Sequence, residues 1–128
     1  MTCKHVVIAE DNCVLLDVIR FNLSRAGYQV TAAQNGNEAW NVIQSQGADL
    51  LITDCQMPEL SGLELCEKIR SDKSLCNLPI LFCTAKGFEI SQSVLNELRL
   101  PQIICKPFSP RELVMRVDEL LQPTEAIY

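Results

Sequence analysis

Leu50-Leu51-Ile52-Thr53-Asp54 is a run without polar alternation closed by a carboxylate. A strand that alternates apolar and polar residues has one wet face; a strand without alternation is buried on both, which is the condition of a parallel sheet. Similar runs stand at His5–Ala9, Pro79–Cys83 and Ile103–Cys105, with a weaker one at Tyr28–Ala33. Between them lie segments with helical spacing. In Asn12–Ala26, Leu15, Val18, Ile19 and Leu23 fall on one face, and Gly27 follows as a terminator. Asn37–Gln46 carries Ala39, Trp40 and Ile43 and closes on Gly47; Glu59–Ser71 places Leu63, Leu65, Cys66 and Ile69 on one side. Phe88–Leu98 contributes Ile90, Val94, Leu95 and Leu98. The last helix, Ser109–Leu121, opens with a capping serine, Pro110 in the first turn and Glu112 placed to complete a capping box; its apolar side is Leu113, Val114, Val117, Leu120 and Leu121. Five strands alternating with five helices predict an α/β fold with right-handed crossovers and helices on both faces of a parallel sheet.

Such a sheet binds its ligand outside the carboxyl ends of the strands. Those ends read Glu10-Asp11 after the first strand, Asp54 after the third, Thr84-Ala85 after the fourth and Lys106-Pro107-Phe108 after the fifth. Three carboxylates in one cleft repel, and a cation relieves the conflict. An all-oxygen donor set with few protein ligands suits Mg²⁺, with Mn²⁺ as an alternative. Ca²⁺ wants more oxygens, and Zn²⁺ wants His or Cys. A cation, a hydroxyl and an ammonium around a carboxylate are equipment for handling a phosphoryl group, and the carboxylate can itself be the nucleophile. Taken singly, each residue has a plainer reading: Asp11 or Asn12 as a helix cap, Thr84 as a turn residue, Lys106 as solvated. The plain readings do not explain why one sheet edge collects all five.

Glu10-Asp11, Asp54 with Met57-Pro58 and Gly62, Thr84-Ala85 and Lys106-Pro107-Phe108 together resemble the receiver domain of two-component response regulators, from His5 to about Leu121. The resemblance implies a flavodoxin-like doubly wound (βα)5 sandwich with strand order 2-1-3-4-5. It implies Asp54 as phosphoacceptor, Asp11 and Glu10 as Mg²⁺ ligands (Glu10 through water), and the backbone carbonyl of Gln56 as a further ligand. Thr84 becomes the switch hydroxyl, Lys106 the phosphoryl's cationic partner, and Lys106-Pro107 a cis peptide. The implied donor is the phosphohistidine of a sensor histidine kinase or histidine phosphotransfer protein. The implied output is a downstream protein target or output domain, contacted through the face of helix four, strand five and helix five, which would also serve a homodimer. Slow self-dephosphorylation follows, so the chain is not a conventional enzyme.

Two departures from the family pattern stand out. Ile103 occupies the place of the usual switch aromatic, and Leu98-Arg99-Leu100-Pro101 lacks the usual small-residue turn before strand five. Gln56 and Lys86, each two residues beyond a site residue, are positioned to tune the phosphate's lifetime.

The chain has the size of one domain, assigned to residues 1–122 with a short tail at 123–128. A net charge of -5 argues against direct nucleic-acid binding, and no apolar run approaches a membrane span. The chain reads as cytoplasmic. Its seven cysteines (Cys3, Cys13, Cys55, Cys66, Cys76, Cys83 and Cys105) contain no C-x-x-C and accompany a single histidine, which speaks against zinc or a redox pair. Free thiols packed as small hydrophobes fit better, notably in Leu81-Phe82-Cys83 and Ile103-Ile104-Cys105. Cys13 and Cys55 flank the acidic cluster. The competing readings are a pseudo-receiver that keeps the fold without the chemistry, a Mg²⁺-dependent phosphatase and a flavin carrier. The phosphatase would want a second carboxylate where Gln56 stands. The flavin carrier would want a Ser/Thr/Gly loop where Glu10-Asp11-Asn12 stands.

Overall fold

The strand runs become β1 (His5–Ala9), β2 (Gln29–Ala33), β3 (Leu50–Asp54), β4 (Ile80–Thr84) and β5 (Gln102–Cys105) in this computed structural model, which describes residues 4–55, 57, 60–84, 92–99 and 102–121. They form one parallel sheet in the order β2-β1-β3-β4-β5. The helices between and after them are α1 (Cys13–Arg25), α2 (Gly36–Gln46), α3 (Gly62–Ser71), α4 (Gln92–Leu98) and α5 (Pro110–Leu121). Order and alternation match the flavodoxin-like expectation.

Successive strand side chains point to opposite faces, and the core divides accordingly. Val7, Ala9, Leu51, Ile80 and Phe82 pack with Ala39 and Ile43 of α2, Leu65, Cys66 and Ile69 of α3, and Leu98 of α4. Val6, Ile8, Leu50, Ile52, Leu81, Cys83 and Ile104 pack with Leu16, Ile19 and Leu23 of α1 and with Leu113 and Val117 of α5. Each fully buried Val, Leu, Ile or Phe among them contributes about 1.5–3 kcal/mol of transfer free energy. The helices start on side-chain caps. Asn12 accepts from Val14 and Leu15, Asn35 from Glu38, and Ser61 closes a full capping box with Glu64. Gly27, at φ 99, carries the chain from α1 toward β2 in the left-handed region that glycine tolerates.

Several local expectations are corrected. The buried stripe of α1 is Leu16, Ile19 and Leu23, while Val18 is 38% exposed with Val14 and Phe21 more exposed still. The α3 helix begins at Gly62 because Ser61 caps it, later than the expected Glu59, which lies outside the described residues. Ser109 does cap α5, accepting from the Glu112 amide at 3.0 Å, but the Glu112 carboxylate turns to Arg116 at 3.9 Å instead of closing a box. Cys55, Cys66 and Cys83 are buried free thiols as expected, whereas Cys105 is exposed, because β5 is an edge strand. Cys3, the expected start of the fourth helix at Phe88 with its Ile90, and residues 122–128 with the expected tail lie outside the described residues.

The turn after α4 is held by an unexpected residue. No glycine follows Leu98, and Arg99 takes φ 51. Arg70 of α3 reaches across to the freed carbonyls: Nε donates to Leu98 O at 2.6 Å and Nη2 to Arg99 O at 3.2 Å. Its Nη1 donates to Leu78 O at 2.7 Å and Cys76 O at 3.2 Å. A five-donor guanidinium thus replaces the missing small-residue turn and ties the end of α4 to the loop before β4.

Candidate functional site

Strand register decides which polar groups meet. Ala9 pairs with Thr53, Asp54 with Cys83, and Thr84 with Cys105, so the carboxyl ends of β1, β3, β4 and β5 share one edge. Backbone bonds extend the ladder beyond the strands: Glu10 N to Ala33 O at 3.0 Å, Cys55 N to Cys83 O at 3.0 Å and Lys106 N to Thr84 O at 2.7 Å. Glu10, Asp54 and Lys106 follow Ile8, Ile52 and Ile104 by two residues and share the α1/α5 side of the sheet. Thr84 follows Phe82, and Cys105 follows Ile103, on the opposite side.

Lys106 lies between two carboxylates. Its Nζ is 2.9 Å from Glu10 Oε1 and 3.2 Å from Asp54 Oδ1. Glu10 Oε2 accepts from the Asn12 amide at 3.1 Å, and Asp54 Oδ1 accepts from the Cys55 amide at 2.9 Å. The Lys106 and Cys55 contacts to Asp54 both fall on Oδ1 of that carboxylate. Burial, relieved only partly by Lys106 and the Asn12 amide, pushes the Glu10 carboxyl above its ordinary pKa. Burial acts to lower Lys106, but the hydrogen bonds and charges of Glu10 and Asp54 outweigh it and hold the ammonium above its usual range. The lysine is therefore a fixed positive charge at neutral pH.

Asp11 is exposed and free for other work, since Asn12 and not Asp11 caps α1. Carboxylate oxygens of Glu10, Asp11 and Asp54 all lie within 4.8 Å of one another. That spacing and all-oxygen chemistry fit a hard divalent cation. Gly62 lies against the backbone of Asp54 and Cys55. A Cβ there would meet Asp54 O at 2.0 Å, and its amide donates to Cys55 O at 3.0 Å. The Lys106–Pro107 peptide is cis.

Of the residues singled out in the sequence, Glu10, Asp11, Asp54 and Lys106 come together. Thr84 stands at the same edge, 3% exposed, with its hydroxyl donating to Cys105 Sγ at 3.7 Å. Ile103 packs partly buried against the cluster beneath α4. Gln56 and Lys86 lie outside the described residues. The sequence reading missed the Asn12 and Cys55 amides, which follow from the turn each acid enters, and Cys105, whose register with Thr84 only the sheet reveals. Lys106 also borders a groove of about 510 Å³ in which Val14, Leu15 and Val18 of α1 face Pro107 and Phe108. Among the described residues no helix is long and apolar enough to cross a membrane.

Comparison with known proteins agrees with this geometry. The family model described as the response regulator receiver domain matches residues 6–118. The chain is 34% identical over 122 residues to the alkaline phosphatase synthesis transcriptional regulatory protein PhoP of Bacillus subtilis, covering 95% of this chain and 50% of that protein. It is 36% identical over 124 residues to the phosphate regulon transcriptional regulatory protein PhoB of Pseudomonas aeruginosa, covering 97% and 54%. The chain thus spans about half the length of these curated relatives. The chemotaxis response regulator CheY4 of Vibrio cholerae superposes with a TM-score of 0.86 at 26% identity, covering 94% of this chain and all of that one.

Proposed function

Since this chain belongs to the response regulator receiver domain family, we propose that Asp54 is its phosphoacceptor and that phosphorylation there changes the chain's protein contacts. The observation that carries this reading is the company Asp54 keeps: its Oδ1 is held by Lys106 Nζ at 3.2 Å and the Cys55 amide at 2.9 Å, and carboxylate oxygens of Glu10, Asp11 and Asp54 lie within 4.8 Å of one another. In the transfer, an Asp54 oxygen attacks phosphorus. The P–N bond of a phosphohistidine breaks, its electron pair stays on the imidazole, and an acyl phosphate forms. Water later attacks that phosphorus and releases inorganic phosphate, restoring the carboxylate.

Glu10, Asp11 and Asp54, with the Gln56 carbonyl, would hold Mg²⁺ or Mn²⁺, which when bound neutralises charge on the phosphoryl oxygens. Lys106 already carries a fixed positive charge to the same place. Thr84 supplies a hydroxyl to one phosphoryl oxygen, and Gln56 and Lys86 tune the attacking water. The donor is a sensor histidine kinase or histidine phosphotransfer protein in the cytoplasm. The apolar groove that Lys106 lines with Val14, Leu15 and Val18 joins the site through that lysine, which contacts Asp54 at 3.2 Å, and suits an apolar surface flanking the donor's histidine. Output passes through the α4–β5–α5 face to a target protein or output domain, or to a second copy of the chain.

The test is intact mass after incubation with Mg²⁺ and acetyl phosphate. One labile phosphoryl adduct is expected on the native chain, and none on Asp54→Ala or with the metal chelated. Folded native protein that gains no adduct, under conditions that label another receiver domain, would favour the pseudo-receiver.

A further inference from the structure

Thr84 and Cys105 are register partners on neighbouring parallel strands, and the Thr84 hydroxyl donates to Cys105 Sγ at 3.7 Å. Both side chains lie on the α4 side of the sheet, beyond Phe82 and Ile103, while Asp54 and Lys106 lie on the other side of the same edge. Thr84 is 3% exposed, so its hydroxyl has little water to turn to, and among the described residues it is the exposed Cys105 that accepts from it. A buried hydroxyl keeps whatever acceptor it has. Thiol sulfur is a weak acceptor, so this one holds the hydroxyl without trapping it.

We propose that Cys105 is a positioning residue for the phosphorylation step: its sulfur parks the Thr84 hydroxyl away from Asp54 in the resting chain and acts as a brake on phosphoryl capture. This rests on the reading of Thr84 as the hydroxyl that engages the phosphoryl group. The contact exists before transfer and is given up as Thr84 turns to the incoming oxygens. An interaction made only in the ground state slows the step that leaves it. In the phosphorylated chain the hydroxyl is already on a phosphoryl oxygen, so Cys105 has no hold on the later attack by water. The side chain at position 105 therefore sets how fast the domain charges and leaves untouched how fast it discharges.

The experiment measures two rates on the full chain, with Mg²⁺ and acetyl phosphate as the probe. One is growth of the phosphoryl adduct by intact mass; the other is its decay after the donor is removed. Cys105→Ala and Cys105→Val should charge about two- to fivefold faster, the range a single weak hydrogen bond commands. Decay and the half-saturating Mg²⁺ concentration should stay at their native values. In a Thr84→Ala background the same substitutions should change nothing. Equal acceleration with and without Thr84, an altered decay rate, or native charging in both variants would overturn the inference while leaving Asp54 as acceptor. A native chain that forms no adduct would overturn the underlying reading as well.

Discussion

Lys106→Met tests the electrostatics of the cleft. The ammonium touches Glu10 at 2.9 Å and Asp54 at 3.2 Å, and the three side chains are 24%, 3% and 12% exposed respectively. At an effective dielectric constant near 20 each contact is worth roughly 5 kcal/mol before desolvation. Desolvation of the lysine offsets much of that, so the pair itself adds little net stability. Removing the cation alone is different, because it leaves two carboxylates facing each other in a nearly dry site. Breaking one side of a buried pair costs about 3–5 kcal/mol, and the partial exposure of Lys106 places this case near the lower end, at about 3 kcal/mol. With a urea dependence of about 2 kcal/mol per molar, the midpoint should fall by about 1.5 M in metal-free buffer at pH 7.5. The loss should also depend on pH. Without Lys106 the Glu10 carboxyl, already raised by burial, rises further. A carboxyl with a raised folded pKa penalises the fold above that value and not below its unfolded value. The variant should therefore regain stability as the solution is acidified and Glu10 takes up its proton, and added Mg²⁺ should restore stability at neutral pH. Urea melts of both proteins at several pH values check this. A midpoint shift below about 0.3 M at pH 7.5, or a shift independent of pH, would refute the reasoning.

Mg²⁺ binding should release protons, because the cation needs a Glu10 carboxylate whose pKa lies above its ordinary value. Affinity should rise with pH through that range, and Glu10→Gln should flatten the dependence in calorimetric titrations in buffers of different ionisation enthalpy. Gly62→Ala forces a methyl group into Asp54 O, 2.0 Å from the ideal Cβ position. It should destabilise the fold by about 1–3 kcal/mol by urea melt and also slow phosphorylation, because the backbone it displaces is that of Asp54, the proposed acceptor. Arg70→Met removes the guanidinium from the carbonyls of Leu78, Leu98 and Arg99, while the Cys76 carbonyl keeps Arg99 Nη2 at 3.2 Å. It should lower stability by about 2–4 kcal/mol and speed hydrogen exchange in α4 beyond that in α1, with no rescue by Arg70→Lys, whose ammonium lacks the fork.

The sheet was legible because its central strands are buried on both faces. His5–Ala9 and Leu50–Thr53 show that condition directly as runs without alternation. The edges were less so. Cys105 looks like a core residue in Ile103-Ile104-Cys105, and only the strand order exposes it. The phase of α1 was ambiguous for a different reason. Val14, Leu15, Leu16, Val18, Ile19, Phe21 and Leu23 cover more than half the helix, so periodicity allows several stripes and packing selects Leu16, Ile19 and Leu23. The acidic cluster was legible because a parallel sheet gathers the residues after its strands at one edge. Arg70 was not, because its four carbonyl partners lie between 6 and 29 residues away and backbone acceptors leave no mark in a sequence.

The central claim is that a phosphoryl group resides on the Asp54 carboxylate, and trapping it there is the most direct measurement. Native chain charged with acetyl phosphate and Mg²⁺ is treated with borohydride, which reduces an acyl phosphate to the alcohol, and then digested and sequenced by mass. The account predicts homoserine at position 54 alone, with its yield following the adduct. Reduction at Glu10, Asp11 or any other carboxylate, or an adduct that survives borohydride unchanged, would contradict it.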